Sequence, residues 1–162
     1  MTTPGKAAAE QRTISATRTF DAPRELVWRA FTNPEMITNW WGPEGFSTTT
    51  HERDLRPGGV WRHTMHGPDG TDYPNYTEFI DVAEPERLVY RNSGDETFSS
   101  EHTFTSTVLF REIGDGKTEL SFTMVFASAH AREEAAKFGA VEGLAQTLDR
   151  FRRRLDDIKG GK

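Results

Sequence analysis

Few side chains in this sequence are equipped for chemistry. Its 162 residues include five histidines, three tyrosines and no cysteine, which excludes thiol nucleophiles, disulfides and Cys-ligated zinc. The histidine with the most informative surroundings is His63, in the run Val60–His66. Read as a strand, that run puts Trp61, His63 and Met65 on one face and Arg62, Thr64 and His66 on the other. A lone His among apolar neighbours is most often a hydrogen-bonded structural or lining residue; direct ligand contact and acid–base catalysis are its other uses. His63 and His66 face opposite sides and do not form a metal pair. His51, His102 and His130 fall in separate segments, so no zinc, iron or other cofactor is expected.

Other candidate groups are dispersed. Tyr76 and Tyr90 carry phenols that either orient a ligand or reach a strand edge. Glu78 follows Tyr76 by two and shares its face. Glu101 and His102 are adjacent, and neighbours on a strand point apart. Gly67-Pro68-Asp69-Gly70 and Gly114-Asp115-Gly116 are turn chemistry, and no nucleophile elbow, phosphate loop or dinucleotide fingerprint is present. Nothing in the residue spacing spells out a catalytic machine.

What the chain has in quantity is aromatic surface. All four tryptophans (Trp28, Trp40, Trp41, Trp61) lie between Val27 and Gly70, and large aromatics commonly line ligand cavities. Leu120, Phe122, Met124 and Phe126 alternate, which puts them together on a core or cavity face. The predicted lining is Trp40, Trp41, Trp61, His63, Met65, Phe122, Met124, Phe138 and Leu144, with Tyr76, Glu78 and Tyr90 as further ligand contacts.

These residues need elements to position them. Thr13–Phe20 alternates as a first strand. Asp21 is a helix cap, Pro23 sits just inside the start, and Leu26, Val27, Ala30 and Phe31 form the stripe of a two-turn helix. Asn33-Pro34 starts a second short helix in which Met36/Trp40 and Ile37/Trp41 pair at i,i+4, ending at Gly42-Pro43. Strands are predicted over Phe46–Leu55, Val60–His66, Asn75–Val82, Arg87–Arg91, His102–Glu112 and Thr118–Phe126. The last two are joined by a Gly-Asp-Gly-Lys hairpin. Asn92–Ser100 is a polar loop. A long helix over Ala131–Ile158 carries Phe138, Val141, Leu144, Leu148, Phe151, Leu155 and Ile158 as one stripe. Gly139 and Gly143, one turn apart on it, mark either close approach of helix to its surroundings or flexibility at a cavity entrance.

The order of strand, two short helices, six strands and long helix is an α+β domain of residues 13–158, flanked by a disordered tail at 1–12 and a short tail at 159–162. The net charge is −5, which argues against nucleic acid or an anionic membrane as partner. Arg150, Arg152, Arg153 and Arg154 are followed at once by Asp156 and Asp157 and read as a solvated helix face. No apolar run approaches the roughly 18 residues of a membrane helix, and the N-terminus lacks the apolar stretch of a signal peptide. The expectation is a cytoplasmic protein, monomeric or a weak homodimer.

Six segments together resemble a known family. They are AFTNPE with NWWGPEGF after it, DLRPGGVWR, MHGPDG, PERLVY and GAVEGLAQTLDRF. In this order and spacing, over nearly the whole of residues 13–158, the chain is similar to the START-related, birch-pollen-allergen-like (SRPBCC) superfamily. Within it the chain resembles the branch of homologues of the activator of the heat-shock-protein-90 ATPase, a name tied to stress response. The resemblance implies a helix-grip fold: a curved antiparallel sheet of about seven strands wrapped around a long C-terminal helix, with an apolar cavity between. Members of the branch usually carry Trp after the Glu-Gly of the last helix, where this chain has Leu144. The implied function is binding of a small, mainly apolar molecule in that cavity, without cofactor or metal. A pocket enzyme of cyclase or hydrolase type, a co-chaperone-like interaction module and a self-sacrificing resistance protein are the alternatives.

Overall fold

The computed structural model describes residues 11–94 and 103–159. The dipeptide Glu101-His102, most of the polar loop at 92–100 and most of the expected N-terminal tail lie outside the described residues.

Strand β1 (Thr13–Phe20) buries Ile14 and Phe20 and exposes Ser15, Thr17 and Thr19, as its alternation requires. Helix α1 (Arg24–Thr32) buries Val27, Trp28, Ala30 and Phe31. Asp21 does not cap it. Pro23 holds the N-cap position with no side-chain cap, and Asp21 instead reaches Lys159 at 3.5 Å. Asn33 ends α1 and caps α2 (Pro34–Ile37), its Oδ1 accepting from the N–H groups of Glu35 and Met36 at 3.0 and 3.1 Å. The second helix is therefore a single turn. Trp40 and Trp41 lie beyond it, their N–H groups both donating to the Ile37 carbonyl at 3.2 and 2.9 Å.

The remaining strands are β2 (Ser47–Arg53), β3 (Val60–His66), β4 (Asp72–Ala83), β5 (Arg87–Ser93), β6 (Phe104–Gly114) and β7 (Lys117–Phe126). They form one antiparallel seven-stranded sheet in the order β1-β7-β6-β5-β4-β3-β2. The β6–β7 turn is Asp115-Gly116 with φ of 55° and 70°, the left-handed pair that a two-residue hairpin needs. Because β1 and β2 are consecutive in sequence but sit at opposite edges, the α1–α2 segment must cross the sheet, and α1 packs over β6 and β7.

The last helix departs from expectation. The predicted continuous helix over Ala131–Ile158 is two: α3 (Ala129–Lys137), capped by Ser128 Oγ on the Ala131 N–H at 3.0 Å, and α4 (Ala140–Lys159). The break falls at Gly139, with φ of 89°, a left-handed residue of the kind that terminates helices. Beyond it the buried stripe is Leu144, Leu148, Phe151 and Leu155, while Phe138 and Val141 are exposed. Helix α4 is the one that the sheet grips, giving the α+β helix-grip fold. Its Phe151 ring packs 5.1 Å from Phe20, 5.7 Å from Phe31 and 4.5 Å from Trp40.

The break fixes the sign of a substitution. In a continuous helix Gly139→Ala would stabilise by about 1 kcal/mol. At φ of 89°, with only Glu142 Oε2 near an added Cβ at 3.9 Å, the cost is backbone strain of about 1–2 kcal/mol. Urea unfolding of Gly139→Ala should show a loss of that size; a gain would restore the unbroken helix.

Candidate functional site

An open cleft of about 360 Å³ lies between β3–β7 of the sheet, the Trp41–Pro43 loop and the α3–α4 junction. Trp41, Met65, Phe122, Met124 and Leu144 form its apolar walls, and Phe138 stands at its rim, 93% exposed. Its loop wall is tied to α4: Arg150 Nη1 donates to the carbonyls of Gly42 and Pro43, both at 2.9 Å. Gly143 lies on the facing side of α4, where an added Cβ would meet Pro43 Cγ at 3.4 Å. Helix termination explains Gly139, whereas a Cβ at Gly143 would make an ordinary contact with Pro43, so close approach does not require glycine there.

Five residues expected at the site are elsewhere. Trp40 is in the core, its Nε1–H donating to the Ala30 carbonyl at 3.0 Å; neighbours on the turn point apart, so only Trp41 reaches the cleft. Trp61 and His63 share the inner face of β3 with Met65 as expected, but Trp41 covers them, its ring centre 5.4 Å from Trp61 and 6.4 Å from His63. Tyr76 and Glu78 are on the outer face. They stand opposite Arg62 and Arg91 in the ladder, while Thr77 and Phe79 point inward and are buried. Glu78 makes an ion pair with Arg91 at 2.8 Å. The large side chain of Phe79, not Tyr76, sets the phase of β4.

A second hollow, larger than the cleft, lies on the outer surface. A groove of about 820 Å³ runs along α1 past Arg53 and Glu84-Pro85. Its walls carry Glu25, Arg29 and Glu84, the last accepting from Trp28 Nε1–H at 2.9 Å.

Two cleft residues escaped the sequence reading. Asn92 follows Tyr90 by two on β5, and Ser106 stands directly opposite Tyr90 on β6. The alternation from Leu88 through Tyr90 to Asn92 was a usable signal, lost when the strand was ended at Arg91. Among the described residues, nothing that lines the cleft carries a charge.

Behind Trp41 sits a buried polar pair. His63 is 1% exposed and stacks on Trp61 with ring centres 3.7 Å apart at 18°. Neither ring nitrogen has a hydrogen-bond partner in the fold. Burial, with the charges of Arg53 and His51 adding to it, lowers its pKa from 6.5 to about 3. Arg53 lies over the Trp61 ring at 4.6 Å, and its Nε and Nη2 donate to the Thr32 carbonyl at 3.2 and 3.0 Å. Burial lowers the Arg53 pKa to about 10, which leaves it charged at neutral pH.

Over residues 21–156 the chain matches the family model described as Activator of Hsp90 ATPase homolog 1-like protein. The chain belongs to that family. A crystal structure of a Mycobacterium smegmatis protein is 30% identical, with 90% of this chain and 91% of that one aligned and a TM-score of 0.79. Proteins of Nitrosomonas europaea and Arthrobacter aurescens are each 24% identical. Their TM-scores are 0.82 and 0.84, over 93% and 92% of this chain and 97% and 88% of theirs. At that identity they show the fold. No curated protein matches this chain. Among the described residues, no helix is long and apolar enough to cross a membrane.

Neutral His63 makes stability depend on pH. Its folded pKa of about 3 lies below the usual 6.5, so the unfolded chain takes up the proton first. The contribution is complete above pH 6.5 and is lost as pH falls toward 3, amounting to about 2 kcal/mol by pH 5. Urea unfolding at pH 7 and pH 5 should show wild type losing about that much more than His63→Phe. Equal losses in both proteins would mean that His63 charges without penalty in the fold.

Proposed function

We propose that this protein binds a small, mainly apolar molecule in the cleft between the sheet and α4, without cofactor or metal, as a cytoplasmic monomer or weak homodimer. The observation that carries the reading is the character of the lining: apolar walls from three sides of the fold and no charged group among the residues that face the space. Burial of apolar ligand surface is the driving force available there, at roughly 25 cal/mol per Å² removed from water. A few neutral polar side chains supply orientation, which is the usual make-up of a small-molecule site. Residues 13–158 act as one binding domain in this reading.

General acid–base catalysis is less well supported. It needs an ionisable group within hydrogen-bond reach of the substrate. His63 is screened from the cleft by Trp41, and Glu78 is on the outer face.

Leu144 tests the reading. It is 7% exposed and faces the cleft from α4. In a filled core, Leu144→Trp would overpack and cost about 1–3 kcal/mol. In a binding cleft the indole occupies ligand space instead. Thermal melts should move little, while affinity for the neutral dye N-phenyl-1-naphthylamine falls roughly tenfold. A large fall in melting temperature with unchanged dye binding would show that protein already fills the space.

A further inference from the structure

The cleft has a polar floor whose groups the fold satisfies only in part. The Tyr90 hydroxyl, Asn92 Oδ1 and Ser106 Oγ are all buried, in residues that are 3%, 5% and 0% exposed; Asn92 Oδ1 has no hydrogen-bond partner in the fold, and the two hydroxyls have only each other. Buried polar groups nearly always have their hydrogen-bonding capacity filled, so three incompletely satisfied groups lining one cleft call for a common cause. They are grouped by the sheet itself. Tyr90 and Ser106 are directly opposite on β5 and β6, and Met124 extends the same row onto β7. Asn92 lies two residues along β5 on the same face, within about 7 Å of its neighbours.

Their chemistry is complementary. Asn92 Nδ2 already donates to Thr77 Oγ1 at 3.1 Å, so its free carbonyl asks for a donor. The two hydroxyls offer donors to an acceptor. Burial raises the Tyr90 pKa, and the neighbouring Ser106 hydroxyl and the Arg53 charge only temper the rise, so the phenol stays protonated and able to donate. Arg53 itself is held on the Thr32 carbonyl and over Trp61 and Phe79, apart from the cleft lining. No charged side chain lines the floor to pair with an ionised head, and burying an unpaired charge is far more costly than burying a hydrogen-bonded neutral group.

Accepting that the cleft binds a small apolar molecule, we infer that its ligand is a neutral amphiphile with a single hydroxyl head. The hydroxyl sits between Tyr90, Asn92 and Ser106, donating to the Asn92 carbonyl and accepting from the Tyr90 or Ser106 hydroxyl. The apolar body lies along Trp41, Phe122 and Leu144 toward the rim at Phe138.

The test uses the full chain and three naphthalenes substituted at one ring position: naphthol, methylnaphthalene and naphthoate, titrated calorimetrically at pH 7. Naphthol should bind about tenfold more tightly than either of the others, the margin of roughly one satisfied hydrogen bond to a buried group. Tyr90→Phe and Ser106→Ala should each remove most of that margin and leave methylnaphthalene affinity unchanged. Because each deleted hydroxyl has only the other as a partner within the fold, the melting temperature of both variants should change little. Equal binding of naphthol and methylnaphthalene would overturn the hydroxyl head while leaving the apolar cleft intact. Preferred binding of naphthoate would overturn the neutral head. A marked fall in melting temperature in both variants would overturn the proposal by showing that the hydroxyls serve the fold. Failure of all three naphthalenes and of N-phenyl-1-naphthylamine to bind would instead remove the binding reading on which the inference stands.

Discussion

The structure depends on one aromatic contact set, centred on Phe31. Its ring lies within 5.1–6.2 Å of Trp40, Trp41, Phe110, Phe122 and Phe151. Those partners come from the turn after α2, from β6 and β7, and from α4, so a single side chain of α1 joins every layer of the fold. A chain that is only 35% hydrophobic concentrates its core in large rings, which bury the most surface per residue and favour the tilted and edge-on arrangements seen here. The connection from β1 to β2 must cross the sheet, and Phe31 is where that crossing is anchored. With α1 and α4 both committed to the ring cluster, the far end of the sheet is left for α3, which the Gly139 break swings away from the axis of α4. The cleft is the space that this divergence leaves uncovered.

Legibility in the sequence follows the strength of the local signal. β1 and β3 have their expected bounds because their alternation is strict and turns flank them, and the Asp115-Gly116 hairpin needs no tertiary knowledge. The final helix was misread because glycine inside a helical pattern costs only about 1 kcal/mol and the apolar spacing runs through Phe138 and Val141 without a fault. Only the three-dimensional position of the sheet shows that those two residues have nothing to bury against. Tyr76 and Glu78 failed for a related reason. Alternation tells which residues share a face but not which face is inside, and Phe79, one step out of phase, decides it. In the candidate site the walls Trp41, Met65, Phe122, Met124 and Leu144 are legible from pattern and resemblance; Asn92 is hidden by a strand end placed two residues early, and Ser106, inside an expected strand, carries no apolar or ionisable side chain to single it out.

Arg53 and His63 show how a polar interior is tolerated without becoming a reactive one. Arg53 keeps its charge by donating to the Thr32 carbonyl and by lying over the faces of Trp61 and Phe79 at 4.6 and 5.4 Å, where ring quadrupoles replace lost hydration. That fixed positive charge then helps to keep His63 neutral. The imidazole is consequently a flat, weakly polar plate stacked on Trp61, and its strongly shifted pKa has a structural origin. A perturbed titration is often a mark of a functional site, but here Trp41 packs against both the imidazole and its stacked indole, and neither lines the cleft.

The rigidity of the cleft decides where its selectivity resides. Its loop wall is held to α4 by the Arg150 clamp on two carbonyls. The floor is three adjacent strands whose hydrogen-bonded ladder cannot shift without moving the aromatic cluster. Walls that are fixed before binding lower the ordering cost of association, yet apolar walls alone discriminate weakly, by about one to three kcal/mol per methylene. A site that leaves buried hydrogen-bonding groups unsatisfied discriminates far more strongly, because a ligand without the matching groups leaves them unpaired. Family membership fixes the grip of sheet on helix but says nothing about that floor. On the proposed binding reading, selectivity among apolar molecules rests on Tyr90, Asn92 and Ser106, three residues on two neighbouring strands.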